Sequence, residues 1–164
     1  MTRFVPSLLD RLLDAQPQAR GETVRPTLSI EQLKETVARD VESLLNARHG
    51  AARLELERYP HARRSIVAFG LDDFAAMSLS SLVDRAAICR SIERAITDHE
   101  TRLQHVQVEL DRQGQDTGAQ KLCFAIRAVL VTHPLQEPVS FDAVLQTTTQ
   151  TYAVATGRRG SAVA

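Results

Sequence analysis

Between Asp84 and Leu110, in DRAAICRSIERAITDHETRLQHVQVEL, the spacing of apolar residues changes from helical to strand-like with almost no intervening loop. Ile88, Ile92, Ile96 and Leu103 recur at steps of four, four and seven, the repeat of one helix face; Val106, Val108 and Leu110 then alternate with Gln107, Glu109 and Asp111. A chain written this way runs a helix into a strand with one dry face, and its other segments must pack around that joint. At the joint stand His99, Glu100, Thr101, Arg102 and Leu103. They place a carboxylate and a guanidinium two residues apart, where the helix stops and its final carbonyls lack partners. This is the first candidate site.

The 164 residues suit one domain with a real core, since 43% are apolar and 24% charged. The formal net charge of zero supplies no field to attract nucleic acid or an anionic membrane. Only Lys34 and Lys121 are lysine, so arginine dominates the basic residues and favours bidentate pairing at protein interfaces. Aromatic residues are 4% and tryptophan is absent, which argues against a stacking surface for single strands or sugars. Cys89 and Cys123 lie far apart with no metal-ligand spacing around them, and read as reduced, buried thiols; no cofactor or metal is expected. The stretch MTRFVPSLLDRLLDAQ carries Asp10 and Arg11 inside its apolar run, so it reads as neither signal peptide nor membrane span. A cytoplasmic location without direct membrane insertion is the expectation.

In chain order, PSLLDRLLD sets Leu8, Leu9, Leu12 and Leu13 on one face of a helix of about two turns. A linker with Pro17, Gly21 and Pro26 follows, and residues 1–26 read as a docking helix plus linker. The helix either folds back on its own domain or docks on a partner. Ser29 and Gln32 form a capping box for a helix striped by Leu33, Val37, Val41, Leu44 and Leu45 and closed by residues 46–50. Its outer residues Glu31, Lys34, Glu35, Arg39, Asp40 and Glu42 read as a solvated face without chemistry. Residues 51–64 form a surface connector; its RYPHARR half suggests phosphate binding, but nearby glutamates and the lack of interleaved aromatics favour a solvated loop. SIVAFGLDD, stopped at Gly70, is expected to pack under the sheet, and Ser81 and Asp84 fit the first turn of the joint helix.

After a glycine-containing turn at residues 112–118, Lys121 to Val131 alternates as a central strand paired with the first. His133, Pro134 and Pro138 interrupt the pattern. Residues 139–146 and 151–156 then form a second hairpin about residues 148–150, with Phe141, Leu145, Tyr152 and Val154 apolar, and residues 157–164 are a loose tail. The fold class is α+β: helices gathered first and laid on one face of a small antiparallel sheet, with residues 27–156 as the single domain. The last hairpin is rich in threonine and poor in charge, so its edge lacks the usual protection and is the second candidate, with Phe141, Val144, Leu145, Tyr152 and Val154 for pairing with another chain.

SLLDRLL near the start, VARDVESLLNARHG, SIVAFGLDD and the helix-HETRL-strand junction, in that order from roughly Phe4 to Val154, resemble the TssE family of type VI secretion baseplates, related to a wedge protein of contractile phage tails. The family's junction usually reads Glu-Pro-Arg; Glu100 and Arg102 stand in those places, with Thr101 where proline is expected, so no proline fixes the aim of the two charges. The resemblance implies a cytoplasmic structural subunit, assembled into a membrane-docked baseplate. It would join the wedge proteins TssF and TssG through Glu100, Thr101 and Arg102, and present a sheet on which the sheath subunits TssB and TssC begin to assemble. The alternative for Glu100 and Arg102 is purely internal pairing near a helix C-terminus.

Some relatives carry a lysozyme-like label, which makes a glycoside hydrolase the rival reading. That chemistry needs two carboxylates across a cleft, one kept protonated in an apolar setting. Glu100 lies beside Arg102, and Asp72 and Asp73 are adjacent and point apart if extended. The expectation is a protein without catalytic residues.

Overall fold

Ser29 opens the first long helix as the pattern requires: its hydroxyl accepts the Gln32 N–H at 3.2 Å, while the Gln32 side chain accepts the Ser29 N–H at 2.9 Å. The computed structural model describes residues 4–6, 11–12, 27–48, 56, 58–74, 77, 81–111, 121–133 and 135–157. Helix α1 (Ile30–Asn46) buries Leu33, Val37, Val41, Leu44 and Leu45, the predicted stripe. A short α2 (Pro60–Arg63) and a 3₁₀ turn (Ile66–Ala68) lead towards α3 (Leu82–His99). Ser81 caps α3 by accepting the Asp84 N–H at 3.3 Å, and Ile88, Ile92 and Ile96 are fully buried.

Helix α3 passes into strand β1 (Leu103–Asp111) through one turn. Leu103 belongs to this strand, opposite Leu130, and not to the helix stripe into which its seven-residue step placed it. A register shift between Gln104 and Gln107, with His105 at φ 53°, explains the irregular spacing: Leu103 and Val106 are buried three apart, and a period of two begins only at Val106. Strands β2 (Lys121–Thr132), β3 (Leu135–Gln146) and β4 (Thr151–Thr156) complete an antiparallel sheet in the order β1-β2-β3-β4. The turn expected at residues 112–118 lies outside the described residues.

Pro138 does not interrupt the strand pattern ahead of the second hairpin as the sequence suggested. It sits inside β3 opposite Val129, in a register that runs unbroken from Thr132↔Leu135 to Lys121↔Gln146. β4 pairs with β3 only from Phe141 onward, so on its far side Pro138 borders no described strand and its missing N–H removes no ladder bond there. Gly157 adds one more bond by donating to the Ser140 carbonyl at 2.8 Å.

The α+β layering is as the patterns imply. One face of the sheet carries Val106, Val108, Leu122, Phe124, Ile126, Ala128, Leu130, Phe141, Ala143, Leu145 and Tyr152, all buried, and α1 packs on β4 and β3 while α3 packs on β1. Full burial of each large aliphatic or aromatic side chain stabilises the fold by roughly 1.5–3 kcal/mol. Phe4 joins this core, bridged to Leu28 by two backbone bonds of 3.0 and 2.7 Å. Of the four leucines expected to dock, only Leu12 is described, and it is 72% exposed; Leu8, Leu9 and Leu13 lie outside the described residues. Among the described residues no helix is long and apolar enough to cross a membrane.

Two expectations are corrected here. SIVAFGLDD enters the core only in part: Ile66 and Val67 face solvent, Phe69 packs half-buried against the core, and Leu71 is fully buried in it. Gly70 makes that abrupt change possible, at φ 120° and with the Ala47 carbonyl oxygen only 2.6 Å from where a Cβ would sit. Cys89 and Cys123 are free thiols but half-buried rather than buried: Cys89 flanks the Ile88 and Ile92 stripe, and Cys123, between buried Leu122 and Phe124, belongs to the other face of the sheet.

Tyr152 is buried against Phe124 with a hydroxyl that has no hydrogen-bond partner, and burial pushes its pKa up to about 12. An unfolded tyrosine ionises near pH 10, so the protonated native state loses stability as pH rises from about 10 towards 12. Replacing Tyr152 with Phe should flatten that alkaline loss, on the order of 2 kcal/mol, and leave neutral-pH stability unchanged or higher by about 1 kcal/mol. Urea denaturation of both proteins across pH 8 to pH 12 measures the difference.

Candidate functional site

Glu100 is the C-cap of α3 and is buried. Its N–H donates to the Ile96 carbonyl at 2.8 Å and its carbonyl accepts the Leu103 N–H at 3.1 Å, so its backbone belongs to both helix and turn. Its side chain folds back over that turn. Oε1 accepts from the Arg102 N–H at 3.1 Å and from Arg102 Nε at 2.8 Å, and Oε2 accepts from Nη2 at 2.5 Å. This is the parallel fork that a planar guanidinium makes with a carboxylate, stronger than a neutral hydrogen bond.

The same Nη2 donates to Asp40 Oδ2 on α1 at 2.5 Å, and the Arg102 carbonyl accepts the Val131 N–H at 2.8 Å. Arg102 thus ties the exit of α3 to α1 and to β2. The carboxylate of Glu100 chiefly, opposed by burial and helped by Asp40, raises the Arg102 pKa above its ordinary value, so the guanidinium stays charged. Arg102 and Asp40 are partly exposed, and Thr101, between the two charges, is exposed. Threonine lacks the φ restriction of a proline, and here the charged pair is aimed by Asp40 and by backbone bonds.

Asp40 was assigned to an idle solvated face, and that assignment is wrong for several of its neighbours too. Lys34 is ion-paired with Glu137 on β3. Glu42 Oε2 accepts the Val154 N–H at 2.8 Å, and Asn46 both accepts the Tyr152 N–H and donates to the Tyr152 carbonyl at 2.8 Å. These side chains flank the buried stripe of α1. A polar residue beside a stripe is legible in sequence, but which strand it meets is not.

The same contacts change the second candidate. The outward backbone groups of β4 at Tyr152 and Val154 are already taken by α1, so this edge is covered there. Of the residues expected to pair with another chain, Phe141, Leu145 and Tyr152 are core, and Val144 and Val154 are half-buried. At the other rim, β1 has β2 on one side and no described strand on the other. The structure therefore unites Glu100 and Arg102, presents Thr101, and shows no described strand on the outer side of β1.

Residues 31–135 match the family model of the baseplate wedge protein gp25. No curated protein matches the chain. The matched span holds Asp40, Glu100, Thr101 and Arg102 together and stops where β3 begins.

Removing Arg102 would leave a buried carboxylate without its partner, a loss on the order of 3–5 kcal/mol. Arg102→Ala is accordingly expected to lower the urea midpoint sharply, while Asp40→Asn, which keeps an acceptor for Nη2, should cost about 1 kcal/mol. Equal stability of Arg102→Ala and the parent protein would show that the fork contributes nothing to the fold.

Proposed function

The chain belongs to the family of the baseplate wedge protein gp25, and from that premise we propose that it is a structural subunit of a type VI secretion baseplate, gripped by TssF and TssG at the exit of α3. It works at the cytoplasmic side, in a baseplate docked to the membrane. Sheath subunits TssB and TssC begin to polymerise on its sheet by strand addition.

The observation that carries this reading is the exposed Thr101 turn held rigid from beneath. Four donor–acceptor contacts among Glu100, Arg102 and Asp40 fix the turn before any partner arrives, so little conformational freedom is lost on docking. The partly exposed sides of Arg102 and Asp40 add charged contacts at the rim of the same spot. For the sheath, the outer side of β1, which borders no described strand, supports strand addition there rather than at β4, where Asn46 and Glu42 would first have to leave.

A structural role also fits the chemistry of the turn better than glycoside hydrolysis does. Both oxygens of Glu100 accept bonds from Arg102, whereas a hydrolytic acid must aim a proton at a leaving group.

Because Arg102 also stabilises the fold, the interface is best tested at the residue that does not. Thr101→Arg adds bulk and charge at an exposed turn while leaving the fork in place. Co-purification with TssF and TssG should fall at least about tenfold with the melting temperature unchanged, a loss of roughly 1.4 kcal/mol of binding. Undiminished co-purification would remove the turn from the interface. Scoring sheath nucleation in the same preparations separates wedge binding from sheath initiation.

A further inference from the structure

The segment from Arg58 to Leu71, RYPHARRSIVAFGL, holds three arginines and no acidic residue. Its first half, RYPHARR, reads in sequence as a solvated loop, yet the segment carries a run of local hydrogen bonds. Ser65 Oγ donates to the Ala62 carbonyl at 2.7 Å and accepts the Val67 N–H at 3.3 Å; the Ala68 N–H donates to the Ser65 carbonyl at 3.0 Å. The far end is pinned to α3: His99 Nε2 lies 3.0 Å from the Ala68 carbonyl, and the Phe69 ring meets the His99 ring edge-on at 5.5 Å. This fixed turn holds Ile66 81% exposed and Val67 53% exposed, with Tyr59 64% exposed at the near end. Isolated surface aliphatics are ordinary, but two consecutive β-branched residues held outward by a bonded turn contribute nothing to the core.

Beside the turn, Arg63 of α2 and Arg90 and Arg94 of α3 line a shallow cleft of about 470 Å³ with Glu93, Thr97 and Asp98. Arg63 reaches Asp98 only at 3.8 Å. Arg90 and Arg94, one helical turn apart, make no ion pair with any described residue. Three arginines and two carboxylates thus line the cleft, in a chain whose formal net charge is zero. Two cationic guanidinium forks at helical spacing, without an ion-pair partner among the described residues, match carboxylates on a facing segment. The neighbouring aliphatic turn gives that segment an apolar anchor, which a nucleic-acid backbone would not use, and it is too small to hold a membrane surface.

We propose that this face binds an acidic protein segment with aliphatic side chains at its centre, the aliphatics resting on Ile66 and Val67 and the carboxylates on Arg90 and Arg94. The proposal rests on the reading of this chain as an assembly subunit and adds a second grip to the one at Thr101.

A fluorescein-labelled peptide of roughly a dozen residues, glutamate-rich with two central leucines, serves as the probe, read by anisotropy with the full chain. Binding is expected at about 50 mM salt and should weaken strongly at about 300 mM, because the pairing is exposed. The double variant Arg90→Ser, Arg94→Ser and the single variant Ile66→Ser should each weaken binding at least about fivefold without moving the melting temperature, since all three side chains lie outside the core. A lysine-for-glutamate version of the peptide should not bind. Absence of binding at low salt, equal binding by the variants, or preference for duplex DNA or phosphatidylglycerol vesicles over the peptide would overturn the proposal. Should the peptide fail while Thr101→Arg still abolishes wedge co-purification, the patch falls and the wedge reading stands; the reverse pair of results removes the wedge site and keeps the patch.

Discussion

The end of a helix leaves carbonyls that need donors, and in this protein that need is met within one turn by the residues that begin a sheet. Glu100 closes the last turn of α3 with its N–H, receives Leu103 on its carbonyl, and holds Arg102 with its carboxylate. The angle between α3 and β1 follows from those bonds. Because Arg102 then reaches Asp40, the placement of α1 over the sheet is tied to the same point. A carboxylate so deeply placed is tolerable only while its partner stays, so two ion pairs that share Arg102 join the two helices and the first strand into a single arrangement.

Elements whose cause is local were legible in the sequence. The Ser29–Gln32 box, the Ile88, Ile92 and Ile96 stripe, the alternation from Leu122 to Leu130 and the last hairpin all depend on neighbours within a few residues, and the structure repeats them. What was misread depended on pairing across the chain. Leu103 was counted with the helix because a bulge at His105 delays the strand period. Pro138 looked like a break because its tolerance depends on where β4 stops. SIVAFGLDD looked like core because hydrophobicity alone does not reveal that Gly70 turns the chain only after Ile66 and Val67 have passed.

The candidate site divides the same way. Glu100 and Arg102 were found by their position at a change of period, and the internal pairing weighed as an alternative is what their side chains make. Asp40, Glu42 and Asn46 were passed over because nothing in a helical face says which distant backbone it will meet. The consequence for assembly is specific: the wedge reading shifts its weight from the charged pair to the threonine between them, and strand addition shifts from the last hairpin to the strand that follows the joint.

Asn46 and Tyr152 are 106 residues apart, and Glu42 and Val154 are 112 apart, yet they form adjoining contacts between α1 and β4. During synthesis the apolar stripe of α1 leaves the ribosome long before the strand that covers it. The first helix must wait, partly unshielded, until the residues of β4 have emerged. Closure of this fold is thus a late, long-range event, and a chain truncated before Thr151 would leave α1 without its ceiling.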